Sequence, residues 1–307
     1  MATSRSFGQR PSRPYDGLIL AVKKTSAKQL VLTILTHQEG ILHVLARRST
    51  QGKMGYGALS PLAEISFDVF EKDGVHTLTE YDCRANRRLR DLTWDGYVYS
   101  QIFVEMVLFL TASGERDEEL YRLVRLYGRA IEIKDVRIVT LIAGWQLLAL
   151  TGFLPETEEA RVFYRGQGYC GQPVYYIDYQ HRDDMAERQL TPAVRQTWQT
   201  LIRYPWGTDE KINLRRDDLR FLEALLYNYV NQCSERQMKT PNLLQTGLPP
   251  QRKESETRIS DSFFARFRRG GARIRLTYRT HPRRPLYRQW WRSSWRLSMM
   301  ACWAASV

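Results

Sequence analysis

The sequence predicts an α+β fold, with a small five-stranded barrel at the front and an all-helical domain behind it. Three observations carry that expectation. Five apolar runs of strand length follow one another between Tyr15 and Cys83. From Tyr97 to Tyr229 the apolar residues instead recur at three- and four-residue spacing, the period of a helix face. At Gly247 the composition changes again, and arginines interleave with aromatic rings without a sustained period.

The five runs are Gly17 to Lys24, Leu30 to Thr36, Gly40 to Ala46, Glu64 to Phe70 and Val75 to Tyr81. The fourth alternates, with Ile65, Phe67 and Val69 on one face and Glu64, Ser66 and Asp68 on the other, as a half-buried strand requires. The first three are apolar on both faces, as expected of a sheet curled over a filled interior. Gln38-Glu39-Gly40 and Lys72-Asp73-Gly74 supply turns, each ending on a glycine that takes positive φ at little cost. Five strands at this spacing point to a Greek-key barrel of the OB-fold type.

Asp91 and Asp95 mark the start of a first helix, whose apolar face is Tyr97, Val98, Ile102, Met106, Phe109 and Leu110. A second is expected over Asp117 to Arg129. A third, Asp135 to Thr151, is apolar almost all round, ends at Gly152 and Pro155, and is expected to be the centre of the helical domain. Trp145 on it reads as core. Residues 156–189 break the pattern: Arg165 to Pro173 is loop chemistry, and Val174 to Tyr179 could be a short strand. Thr191-Pro192 restarts a helix through Trp198 and Leu201, and a last one runs from Arg216 to about Gln232. The expected division is a flexible leader (1–14), the barrel (15–83), the helical domain (84–246) with its irregular insert, and a tail (247–307) expected to be disordered.

The net charge of +13 is unevenly spread. The tail holds 14 Lys and Arg against three Asp and Glu, and the leader adds three arginines, so the body between them is close to neutral. Bulk basicity therefore says nothing about the folded part, and any nucleic-acid site there must rest on local patches. Four cysteines, Cys83, Cys170, Cys233 and Cys302, lie far apart with no CxxC pair, which speaks for a reducing, cytosolic setting and against a zinc ribbon or disulfide framework. The most lipid-like stretch, Ile138 to Leu150, includes Thr140 and Gln146 and is too short to span a bilayer. No nucleotide-loop, metalloprotease, nucleophile-elbow or dinucleotide string occurs, and the five histidines are scattered, so neither catalysis nor a cofactor is expected.

Binding chemistry concentrates in the barrel. Lys23 and Lys24 end the first strand, Arg47 and Arg48 open the loop after the third, and Lys53 follows among Gly52, Gly55 and Gly57. Tyr56 adds a ring. Cations along a backbone with rings under the bases are how single-stranded nucleic acid is held. The same clusters also fit ordinary solvated strand ends. Cys83 to Arg90, with four arginines, either extends a basic groove or caps the entry into the helices.

Several strings, in this order, resemble the bacterial recombination mediators of the RecO family: Asp16 to Leu20, Leu32 to Gly40, Ala46 to Leu62, Leu147 to Pro155 and Lys239 to Leu244. The resemblance implies an OB-fold and helical domain that bind single- and double-stranded DNA and anneal complementary strands. It further implies RecR and the acidic tail of the single-strand DNA-binding protein as partners in loading RecA, in a nucleoid-associated protein. Arg47, Arg48 and Lys53 inherit the DNA-contact role by position, Lys23 and Lys24 after them. Many members carry a four-cysteine zinc site after the third helix; here only Cys170 is present, and no metal is expected. The alternative is a protein-interaction scaffold of the same fold that has lost DNA binding.

Overall fold

The computed structural model describes residues 12–26, 29–47, 59–84, 92–168, 171–207 and 214–244. The expected tail 247–307 and most of the leader lie outside the described residues.

Five strands close a barrel in the order β1-β2-β3-β5-β4: β1 (Arg13–Ser26), β2 (Gln29–Thr36), β3 (Gly40–Arg47), β4 (Glu64–Lys72) and β5 (Val75–Arg84). All pairs are antiparallel except β3 with β5, which run parallel at Val44–His76 and Leu45–Thr77 and so close the ring. β1 is longer than the apolar run Gly17 to Lys24 because it serves two neighbours. Arg13 to Leu18 pair with β4, and Gly17 onward with β2. A bulge between Ile19 and Ala21 bends the strand from one partner to the other. The backbone of Ile19 is satisfied from outside the ladder: its N–H donates to the Ala63 carbonyl (3.0 Å) and its carbonyl accepts from Leu62 (2.6 Å). Ile19, Leu32, Ile34, Leu42, Val44, Ile65, Phe67 and Val69 fill the interior, so the alternation of the fourth run emerges as expected.

Asp73 and Gly74 both take positive φ in the two-residue β4–β5 hairpin, the conformation that matches strand twist. Gly40 is different. Its φ of 73° ends the β2–β3 turn, and any Cβ there would collide with the carbonyl oxygen of Glu115 in the loop between the first two helices. That loop also lies along the start of β3, where Ile41 bridges Ser113 and accepts from Gly114 N–H (3.3 Å). The barrel is thereby keyed to the helices through bare backbone.

Five helices follow: α1 (Trp94–Leu110), α2 (Glu118–Ala130), α3 (Val136–Leu150), α4 (Pro192–Ile202) and α5 (Arg216–Ser234). Thr93, Asp117, Asp135 and Thr191 cap the first four through side-chain oxygens on free N–H groups. After α3, Phe153 N–H donates to Leu148 and Gly152 N–H to Ala149, with Gly152 at φ 77°, the Schellman stop that Gly152 suggests in the sequence. α3 shares the centre of the helical part with α1, of whose 17 residues 13 are buried, Ser100, Gln101 and Glu105 among them. Trp145 is fully buried against Trp198, as expected of core. α3 and α5 are joined where Arg137 grips Glu223 with two nitrogens, at 2.6 and 3.3 Å, while Tyr227 donates to the same carboxylate.

The stretch expected to be irregular, 156–189, holds a three-stranded antiparallel sheet in the order β7-β6-β8: β6 (Arg161–Gln167), β7 (Pro173–Asp178) and β8 (Ala186–Arg188). Val162, Phe163, Tyr175 and Ile177 are buried in it, and Arg161 forms a forked ion pair with Glu187. The outer edge of β7 is met by α5: Gln232 both donates to and accepts from the Ile177 backbone (2.8 and 3.2 Å), and Asn228 donates to the Pro173 carbonyl.

Past α5, the short 3-10 turn Thr240–Leu244 is held by Glu105 of α1, whose two carboxylate oxygens accept the N–H groups of Lys239 (3.0 Å) and Thr240 (2.9 Å). Glu105 is 4% exposed. Replacing it by alanine strands two backbone donors and should cost about 2–3 kcal/mol, lowering the urea midpoint without changing the slope. Gly40→Ala should cost a similar roughly 2–3 kcal/mol through strained φ and the collision with Glu115. A midpoint equal to wild type for either variant refutes the corresponding contact.

Candidate nucleic-acid interface

Lys23, Lys24 and Arg47 are exposed and lie at one end of the β1–β2–β3 sheet. Register places them. Lys23 pairs with Val31, itself opposite Leu45; Arg47 pairs with Gln29. Both cations belong to the outward row, since the interior row of β3 is Leu42, Val44 and Ala46. From strand spacing and rise, their Cα atoms are roughly 12 Å apart. Lys24 pairs with Leu30, opposite Ala46, and so sits in the interior row at the barrel mouth. Half-buried Val31 and Leu45 between the cations give their aliphatic stems apolar support. His43 shares the outer face, with Nδ1 3.3 Å from the Thr33 hydroxyl, but partial burial of its ring lowers its pKa, so it adds no charge at neutral pH. Arg48, Lys53 and Tyr56 lie outside the described residues, and their relation to this end is not described.

Toward the opposite end of β1 carboxylates predominate, and the cation there, Arg13, lies 4.0 Å from Glu71. Asp16 pairs with Ser66, which is opposite Asp82, and Asp68 is directly opposite Glu80. All lie in the outward rows of β1, β4 and β5, and the Ser66 hydroxyl donates to Asp16 (2.6 Å). Like charges facing each other across a ladder destabilise it slightly and repel an approaching phosphate. The near-neutral body therefore resolves into a basic end and an acidic side. The sequence pattern places only Asp68 of these carboxylates on an outward strand face, because the register that gathers it with Asp16, Glu80 and Asp82 is not local to any one segment.

Between barrel and helices, Arg84 lines a cleft of about 410 Å³ with Arg125, Arg129, Glu64 and Glu132 over a floor that includes Leu18, Leu62 and Gly128. Glu64 holds Arg125 at 3.5 Å. The rest of the arginine run, 85–90, lies outside the described residues. The cleft mixes both signs and does not continue the basic end as a uniform groove.

Residues 14–87 match the family model for the N-terminal part of recombination protein O. The barrel is similar to a RecO N-terminal domain. No curated protein sequence matches the chain. The match spans the same strands that close the ring, and it supports a function in DNA recombination and repair. The helices beyond residue 87 are outside the matched region.

Among the described residues, no three His, Cys, Asp or Glu side chains approach closely enough to share a metal ion, and no helix is long and apolar enough to cross a membrane. Cys170 and Cys302 lie outside them. The Cys83 thiol, at the end of β5, is pushed up to about 11 by burial and by the Asp82 carboxylate. Burial pushes Cys233 on α5 up to about 12. A rise of two pKa units lowers the thiolate fraction about 100-fold at pH 8. In the native protein, iodoacetamide should therefore label both sites at least ~10-fold more slowly than in urea, as read by site-resolved mass spectrometry. Equal native and denatured rates would contradict their enclosure.

Proposed function

We propose that the chain is a recombination mediator that binds single- and double-stranded DNA, anneals complementary strands and, with RecR, helps load RecA. The observation that carries this reading is the placement of Lys23, Lys24 and Arg47 at one end of a barrel that matches the RecO N-terminal domain. Binding there makes and breaks no bond. The lysines and the arginine neutralise backbone phosphates, and released counterions supply most of the free energy. With its phosphates partly neutralised, a held strand repels its complement less, which is what annealing needs. The acidic side of the barrel supports the same reading, because it restricts a polyanion to the basic end. In this role the chain works on strands coated by the single-strand DNA-binding protein, meeting its acidic tail, in the cytoplasm at the nucleoid.

Salt dependence tests the reading. For single strands, log affinity falls with log salt by about 0.7 per phosphate contacted. Replacing Lys23, Lys24 and Arg47 together by alanine should flatten that slope by about 2 and weaken binding near physiological salt by tenfold or more. The measurement belongs on the full chain and on a chain ending at Thr246 in parallel, because the last 61 residues hold 14 Lys and Arg. An unchanged slope in the shorter chain would refute the barrel end as the binding face. Absence of binding by the shorter chain would favour the scaffold reading instead.

A further inference from the structure

The sheet β6–β8 carries a feature that the barrel does not explain. On the face turned toward α5, a row of rings and one guanidinium runs outward from the core: Phe221, Arg188, Tyr175 and Tyr164. Arg188 lies 4.1 Å from the Phe221 ring centre and 5.7 Å from that of Tyr175, and donates to the Tyr175 hydroxyl (3.1 Å). Tyr175 meets Phe221 edge-on at 5.1 Å, and Tyr164 stands 6.1 Å from Tyr175 as its cross-strand partner. Phe221 and Tyr175 are buried, whereas Tyr164 is 39% exposed at the end of the row. Directly after it the ladder is broken by a bulge. Arg165 is the extra, unpaired residue, and Gly166 takes φ 116°, a conformation that side chains rarely adopt.

We propose that Tyr164, with Arg165 next to it in the chain, is a stacking site for an unpaired base of single-stranded DNA, separate from the phosphate-binding end of the barrel. A ring held in place from below costs little ordering when a base stacks on it, and its exposed face accepts any base. Arg165 and Arg188 are exposed and have no carboxylate within ion-pair distance among the described residues, while Arg161 and Arg182 are occupied by Glu187 and Asp178. Arg188 is engaged by Tyr175 and Phe221, which leaves Arg165, next to the ring in the chain, as the cation of the sheet that can meet a phosphate. The site rests on the proposed function and adds to it. A strand held at the barrel by phosphates alone shows no preference between paired and unpaired DNA, whereas a stacking ring selects bases that have left their partners. Two separate footholds, one for backbone and one for bases, also suit a protein that must present a strand to its complement.

The experiment compares the full chain with Tyr164→Ala and Tyr164→Phe, using a short oligo-dA single strand and a blunt duplex of equal length. Tyr164→Ala should weaken single-strand binding about tenfold and leave duplex binding within about twofold. Tyr164→Phe, which keeps the ring, should bind both as wild type does. Arg220→Gln, which removes one exposed charge from α5 and no ring, sets the loss expected from charge alone. Single-strand affinity unchanged in Tyr164→Ala, or equal losses on single strand and duplex, would overturn the stacking site. If binding responds to Lys23, Lys24 and Arg47 but not to Tyr164, this inference alone falls; if the wild-type chain binds neither DNA, the proposed function falls with it.

Discussion

The bend in β1 is the constraint on which the rest of the molecule depends. One strand gives its first residues to β4 and its later ones to β2, and it can do so only because the ladder is interrupted at Leu20. Ile19 still faces Ile34 of β2, but on its other side β4 has ended, and Leu62 and Ala63 of the connection before β4 take up its backbone N–H and carbonyl. Leu62 does so at φ 60°, a conformation costly for a side chain with a Cβ. The barrel is therefore closed by a local strain that saves two backbone hydrogen bonds. It also fixes the electrostatics. Because one strand passes along both neighbours, Asp16 and Lys23 stand at its two ends, and the carboxylates of β4 and β5 gather beside the first while Arg47 gathers near the second.

Charge segregation explains how a body with almost no net charge can still attract a polyanion. Summed over the barrel the signs nearly cancel, yet a phosphate experiences only groups within about a Debye length, roughly 8–10 Å at physiological ionic strength. At the end of β3 those are the cations Lys23, Lys24 and Arg47; around Asp82 carboxylates outnumber the single arginine, Arg84, two residues along. Total charge is a poor guide to a protein of this kind, and register between strands is a good one.

Much of this architecture is written in short-range pattern. The alternation of Ile65, Phe67 and Val69, the glycines of two hairpins, the caps Thr93, Asp117, Asp135 and Thr191, and the stop at Gly152 each need only a few neighbouring residues, and each appears where those residues place it. Two features are not legible in that way. The sheet β6–β8 has a three-residue strand, a bulge that spoils the alternation of Arg161 to Gln167, and an ion pair, Arg161 with Glu187, that spans a long loop. Local reading finds the strand at Val174 to Tyr179 but not the other two strands of the sheet. α1, for its part, reads as amphipathic, but Ser100, Gln101 and Glu105 are buried as well, because Glu105 is needed by backbone more than 130 residues away. Of the candidate binding residues, Lys23, Lys24 and Arg47 can be placed from pairing; no strand partner exists in the sequence pattern to place Arg48, Lys53 or Tyr56.

The amides of Asn228 and Gln232 act as an artificial neighbouring strand for β7. A helix thereby supplies, with two side chains one turn apart, the hydrogen bonds that another β-strand would seek, and the exposed margin that invites runaway intermolecular pairing is sealed. The arrangement ties helical phase to sheet position. A single residue inserted into α5 ahead of Asn228 would swing both amides by about 100°, unseal that margin and turn a folded module into a template for fibre growth, so the length of this helix is fixed by what lies beside it.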